Sequence, residues 1–221
     1  MEPAPLQVLL EAARPLMVTA FTLWDGPVTR LEIVAFVLSL AMVAANMRVH
    51  PVGWPLAMAS SLLYALLFAQ SRLYGEAGLQ FFFIAVSVWG WWQWQRGRGA
   101  DGEALRVHRL SRRGGLVTLA ATLTAWPVAG LLLARLTDSD VPYLDALPTV
   151  GSIAGQILLG RKLVENWPTW LAVNIFSVGL FASKGLWLTV VLYALFALLS
   201  VVGWRAWRRR LVGAQAPDAA A

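Results

Sequence analysis

The sequence predicts an all-α integral membrane protein with seven transmembrane helices in a 3+1+3 parallel repeat, the layout of a full-length SWEET-like carrier. Three observations predict it: an apolar composition, seven apolar segments of spanning length, and an internal repeat. Of 221 residues, 58% are hydrophobic and 14% charged, and the mean hydropathy is +0.62. A soluble domain of this size cannot hide that much apolar surface, whereas a bilayer can take it. The net charge of +6 is gathered in short loops between apolar segments. That is the pattern of cytoplasmic membrane loops and speaks against a nucleic-acid partner. There is no cysteine, and His50 and His108 both lie in basic loop sequence. Thiol chemistry, disulfides and a His/Cys metal site are excluded, and no cofactor is expected.

Residues 1–30 come first. Their apolar character is broken by Glu11, Arg14 and Pro15, and they carry no basic start. An interfacial helix fits this better than a signal peptide or a full span. A span needs about 20 mostly apolar residues. Segments 31–48, 54–71 and 73–95 qualify and make a first three-helix repeat, 31–95. A basic linker, 96–114, leads to a connecting span, 115–136. Segments 143–161, 167–183 and 186–205 make the second repeat, 137–208, and 209–221 is a tail. The linkers at Arg72 and Lys184 are so short that the helices flanking them must be antiparallel neighbours.

Thirteen Lys and Arg fall on one side, including Arg48, Arg161, Lys162 and those of the linker and C-terminal end. Five fall on the other: Arg14, Arg30, Arg72, Arg135 and Lys184. The richer side belongs in the cytoplasm of a bacterial inner membrane, which puts the N-terminus outside and the C-terminus inside.

Residues 31–94 align without a gap on 144–207, an offset of 113, with 19 of 64 positions identical. Paired Trp54-Pro55/Trp167-Pro168 and Gly90-Trp91/Gly203-Trp204 are not chance matches between apolar segments. With one span between them, the two triplets must cross the membrane in the same direction, as the charge count also requires. Parallel repeats of this kind build carriers whose substrate site lies between the repeats.

Polar residues mark the candidate site. Trp167, Trp170, Asn174 and Ser177 share one helical face, and Asp145, Thr149, Ser152 and Gln156 share another. Thr149 and Ser152 could equally serve helix packing. Gln156 and Asn174 are harder to dismiss, because a buried amide without partners costs about 1–3 kcal/mol. The first repeat has Ala57, Ser61 and Tyr64 where the second has Trp170, Asn174 and Ser177. An asymmetric site is therefore expected, with Tyr64, Gln80 and Trp54 as the first repeat's contributions. For WGWWQW (89–94), Trp204 and Trp207 an aromatic belt at the membrane interface is the better explanation, and it competes equally for Trp54 and Trp167. Glu76 and Asp145 lie near outer span ends, and no ionisable residue falls at a span centre, which favours a carrier uncoupled to protons or sodium. No paired acid, His or Cys lies at depth to activate a nucleophile, so an enzyme is not expected.

The stretches 54–94 and 151–170 resemble the PnuC-type nicotinamide riboside transporters, through Trp54-Pro55, Leu73-Tyr74, Gly90-Trp91, Arg161-Lys162 and Glu165-Asn166-Trp167 followed by Trp170. The resemblance covers about 30–208. It implies a homotrimer in the lipid bilayer and facilitated diffusion of an unphosphorylated vitamin, trapped afterwards by a cytosolic kinase and fed into NAD biosynthesis. It also places the Trp-x-x-Trp pair, here Trp167 and Trp170, in the substrate site as a clamp on a flat ligand. Relatives within that family carry thiamine or riboflavin, which are the alternative substrates. A membrane scaffold subunit is the competing reading outside it.

Overall fold

The computed structural model describes residues 14–23, 26–70, 74–99, 102–137, 141–183 and 187–215. A single 3-10 turn, Arg14–Leu16, precedes two antiparallel strands, β1 (Thr19–Leu23) and β2 (Gly26–Thr29). Seven helices follow: α1 (Arg30–Met47), α2 (Gly53–Gln70), α3 (Tyr74–Arg96), α4 (Arg112–Leu136), α5 (Pro142–Gly160), α6 (Asn166–Ser183) and α7 (Trp187–Gln215). Arg72, Lys184, residues 1–13 and residues 216–221 lie outside the described residues, as do the side chains of Tyr74 and Glu76.

The segment before α1 differs from the expected interfacial helix over residues 14–29. Thr-Ala-Phe-Thr-Leu is rich in strand formers, and it pairs back onto Gly26–Thr29 from Leu23 opposite Gly26. The chain then turns into α1 at Thr29, whose Oγ1 accepts the Glu32 amide at 3.2 Å. Such a cap satisfies one of the donors that every helix start leaves open. Leu31 and Leu66 close the core beneath the hairpin together with Met17.

Among the described residues, Arg30–Met47, Arg112–Leu136 and Val190–Val212 are each long and apolar enough to cross a bilayer, and Gly53–Leu67 is a shorter apolar stretch. In each triplet consecutive helices pack together: α1 on α2 on α3, and α5 on α6 on α7. The triplets meet where α1 packs on α7 and α3 on α5. The main partner of α4 is α5, where the Tyr143 ring fills the space beside Gly130 and Trp126 Nε1 donates to the Tyr143 carbonyl at 2.7 Å.

α1 and α5 end in the same way. After Arg48, Val49 adopts φ 57°, with its amide donating to the Asn46 carbonyl and the His50 amide to that of Ala45. After Arg161, Lys162 adopts φ 54°, with its amide donating to Leu159 and the Leu163 amide to Leu158. This double bond around a left-handed residue stops a helix and satisfies its last carbonyls. A left-handed β-branched residue costs of order 1–3 kcal/mol, so the surrounding packing must hold Val49 there.

That packing is a cluster of tryptophans between the triplets. Trp54 and Trp94 meet edge to face at 5.5 Å, Trp167 and Trp207 do so at 5.6 Å, and Trp94 touches Trp207 at 6.2 Å. Trp54 lies over Gly90 and Trp167 over Gly203, in space that any Cβ would occupy. Trp94 Nε1 donates to the Leu159 carbonyl and Trp207 Nε1 to that of Asn46, both at 3.0 Å. Each of these pairs recurs at the offset of 113.

The belt explanation is thereby corrected for Trp94 and Trp207, which are 8% and 0% exposed. A belt argument considers depth alone, and these two residues lie on the faces of α3 and α7 that meet the opposite triplet. Trp91 and Trp92 remain exposed, consistent with a belt role. α7 also continues past the expected end at 205, because burying Trp207 keeps its last turns packed.

Candidate substrate site

α6 begins at Asn166, whose Nδ2 donates to the Leu163 carbonyl at 2.6 Å, and Pro168 occupies the first turn, where its missing amide costs nothing. This start projects Trp167 and Trp170 from adjoining turns towards different neighbours. Trp167, 3% exposed, is taken up in the aromatic cluster against Gly203 and Trp207. Trp170 is half-buried on α5, where a Cβ at Gly155 would come within 2.9 Å of its indole. The two rings thus serve different surfaces, Trp167 the last helix and Trp170 the helix before its own.

α5 makes room for Trp170 with glycines. Gly151 faces Val173, Gly155 faces Trp170, and Gly160 lies under Trp89 of α3. Small residues four apart let helix backbones approach closely in a membrane. The pattern Gly151-Ser-Ile-Ala-Gly155 was the sequence signal for this seat, and the polar-residue reasoning passed over it. Pro148, one turn earlier, cannot donate to the Leu144 carbonyl, and Thr149 Oγ1 donates to the Asp145 carbonyl at 3.0 Å.

Beside Gly155, Gln156 has a buried Oε1 with no hydrogen-bond partner. An orphaned amide oxygen costs about 1–3 kcal/mol, so it is a site at which a ligand N–H or O–H gains more than usual. Ser152, a turn away, is half-buried. Asn174, one turn beyond Trp170 on α6, is buried and donates Nδ2 to Ser200 Oγ of α7 at 3.3 Å, and Ser200 donates to the Phe196 carbonyl at 2.7 Å. Ser200 was not among the expected residues, since its partner lies on another helix and no local pattern reveals it.

The first-repeat candidates lie apart from this group. Trp54 is 1% exposed inside the aromatic cluster. Tyr64 is half-buried on α2, near Ser39 of α1 and Tyr193 of α7. Gln80 is half-buried on α3. Among the described residues no group of three or more His, Cys, Asp or Glu side chains could hold a metal. The α5–α6 face can therefore stack a flat ring on Trp170 and offer amide and hydroxyl groups beside it.

Comparison with known proteins shows the family. Residues 29–209 match the family model described as nicotinamide mononucleotide transporter. The riboflavin/roseoflavin transporter RibM of Streptomyces davaonensis is 32% identical over 191 residues, 85% of this chain and 89% of that protein. The nicotinamide riboside transporter PnuC of Escherichia coli is 28% identical over 169 residues, 66% of this chain and 71% of its own. The crystal structure of the vitamin B3 transporter PnuC superposes with a TM-score of 0.69 at 25% identity, covering 93% of this chain and 89% of that one. Members of this family are transporters rather than enzymes, and this chain, a helical multi-pass membrane protein, belongs to the nicotinamide mononucleotide transporter (PnuC) family.

Proposed function

We propose that the chain carries nicotinamide riboside down its gradient through a site on the α5–α6 face of the second triplet. The observation that carries this reading is the buried, unpartnered Oε1 of Gln156, the residue that follows Gly155 of the Trp170 seat. A pyridinium ring suits stacking on an indole face, and its carboxamide and ribose hydroxyls are the donors that the orphaned acceptor lacks. Asn174 and Ser152 extend the polar side and Thr149 lies at its outer end, while Trp167 and Trp54 stay in the aromatic cluster that joins the triplets.

The architecture in this reading is the parallel 3+1+3 arrangement, assembled as a homotrimer in the inner membrane with the arginine-rich end in the cytoplasm. Trp54/Gly90 against Trp167/Gly203 and the crossed indole–carbonyl bonds support two equivalent triplets. Transport is uncoupled, and a cytosolic kinase traps the product. Riboflavin is the second reading, favoured by the 32% identity with RibM over 85% of the chain.

A thermal-shift panel on purified protein separates the candidates, because only a ligand of the native state stabilises it by mass action. Nicotinamide riboside should raise the melting temperature, with riboflavin and thiamine inert. A shift with riboflavin alone transfers the site to the second reading, and no shift with any of the three removes the vitamin-carrier proposal. In proteoliposomes without kinase, internal substrate should rise to the external level and stop. Accumulation driven by an imposed proton or sodium gradient would overturn uncoupled transport.

A further inference from the structure

The arginine-rich end contains a cavity that shares no residue with the α5–α6 face. It measures about 250 Å³ and opens where four stretches of chain meet: Val49 after α1, Leu105, Arg106 and Val107 of the linker, Lys162 between α5 and α6, and Arg210 in α7. Half of its lining residues are cationic and none is acidic.

Two of the cations are held in place by neutral groups. Lys162 Nζ donates to the Leu105 carbonyl at 2.9 Å and lies 5.2 Å over the Trp94 ring. The left-handed backbone at Lys162 fixes the direction in which that side chain leaves the turn. Arg210 Nη2 donates to the Arg48 carbonyl at 3.0 Å. Neither Lys162, Arg210 nor Arg106 has a carboxylate partner among the described residues. Half-burial of Lys162 lowers its pKa below the usual lysine value. A carbonyl satisfies an N–H but leaves the desolvated charge uncompensated.

We propose that this cavity binds a phosphate monoester, its oxygens on Arg106, Lys162 and Arg210 and its carbon part against Val49, Leu105 and Val107. A phosphate presents about two negative charges and three acceptor oxygens, which matches three cations lining one opening better than a carboxylate does. The volume admits a phosphate with a sugar or glycerol attached but is below that of most drug-sized pockets, roughly 300–1,000 Å³. The same chemistry is available from a soluble sugar phosphate or from the monoester headgroup of phosphatidic acid at the membrane surface. Bound there, the anion ties the ends of α1 and α7 to the α5–α6 turn and the linker, and so joins the two triplets.

The test uses the full chain in nanodiscs of phosphatidylcholine alone, at fixed ionic strength. Melting temperature is followed against ribose 5-phosphate, with ribose as control, for the wild type and for Arg106→Gln/Arg210→Gln. The wild type should show a saturable rise with ribose 5-phosphate and none with ribose, and half-saturation in the double variant should be at least tenfold weaker. A second arm replaces part of the lipid with phosphatidic acid, with phosphatidylglycerol, a phosphodiester of single charge, as its control. A rise confined to that arm and lost in the variant assigns the site to a headgroup and still supports the proposal. No rise in either arm, or rises equal in wild type and variant, would overturn it. The melting shift produced by the vitamin is measured in parallel. If it is unchanged in the variant, fold and transport site are intact, and if the double variant fails to fold, Lys162→Gln takes its place.

Discussion

In the first triplet Ser39 and Ser60 bridge α1 and α2 with a 2.6 Å hydrogen bond, and both hydroxyls also reach the Ala35 carbonyl. The matching positions of the second triplet are Ser152 and Val173, so that bridge is absent between α5 and α6. α5 instead carries Gly151, Gly155 and Gln156 where α1 has Leu38, Met42 and Val43. The second triplet places its bridge between α6 and α7, from Asn174 to Ser200. The counterparts in the first triplet are Ser61 and Ser87, and the Ser87 hydroxyl is buried without a partner. At the arginine-rich end, by contrast, the Trp54/Trp94 pair recurs as Trp167/Trp207, the Gly90 seat as Gly203, and the left-handed turn at Val49 as that at Lys162. The duplicated end acts as scaffold, and the middle, where the copies diverge, is where ligand chemistry can differ from packing.

If the shared end is scaffold, damage to either copy should cost the same. Gly90→Val and Gly203→Val each force a side chain into space filled by Trp54 or Trp167. Each should destabilise the protein by about 1–3 kcal/mol or more, read as a loss of melting temperature. A large loss at one position and none at the other would break the equivalence.

The diverged middle should show the opposite behaviour. Gln156→Leu should weaken vitamin binding by about 1–3 kcal/mol without lowering the melting temperature, because it removes an acceptor that is unsatisfied in the free protein. Asn174→Leu should lose a similar amount of affinity and also some stability, because Asn174 bonds Ser200. Aggregation of either variant with affinity intact in the folded fraction would make that residue a packing group.

Smaller effects sharpen the comparison. Trp94→Phe and Trp207→Phe keep a ring and remove the crossed N–H donor. Each should cost about 0.5–1.5 kcal/mol of stability, equally. Ser39→Ala should cost of order 1 kcal/mol or less and, if the proposed site on the second triplet holds the ligand, leave binding unchanged.

Much of this was legible in the amino-acid order. The expected spans 31–48 and 115–136 agree with Arg30–Met47 and Arg112–Leu136 to within a few residues, because apolar length is a strong signal. The offset of 113 made the pairing of Trp54 with Trp167 readable before any contact was known. The inward turn of Trp94 and Trp207 was not legible, because two flanking arginines imply depth and say nothing of which face meets the other triplet. Nor was the separation of Trp167 from Trp170. Residues three apart on a helix share a face broadly, yet here one rests on α7 and the other on α5. The orphaned acceptor of Gln156 depends on what surrounds it in space, and a single helix face cannot reveal that.

The central claim is that Trp170, rather than the tryptophans at the membrane surface, holds the vitamin. Calorimetric titration of nicotinamide riboside into purified wild type, Trp170→Ala and Trp92→Ala tests it directly. Trp170 is half-buried beside the polar face, whereas Trp92 is 53% exposed on α3. The expected result is no measurable binding for Trp170→Ala and affinity close to wild type for Trp92→Ala, with both proteins folded. Equal losses in the two variants, or full binding by Trp170→Ala, would contradict the claim.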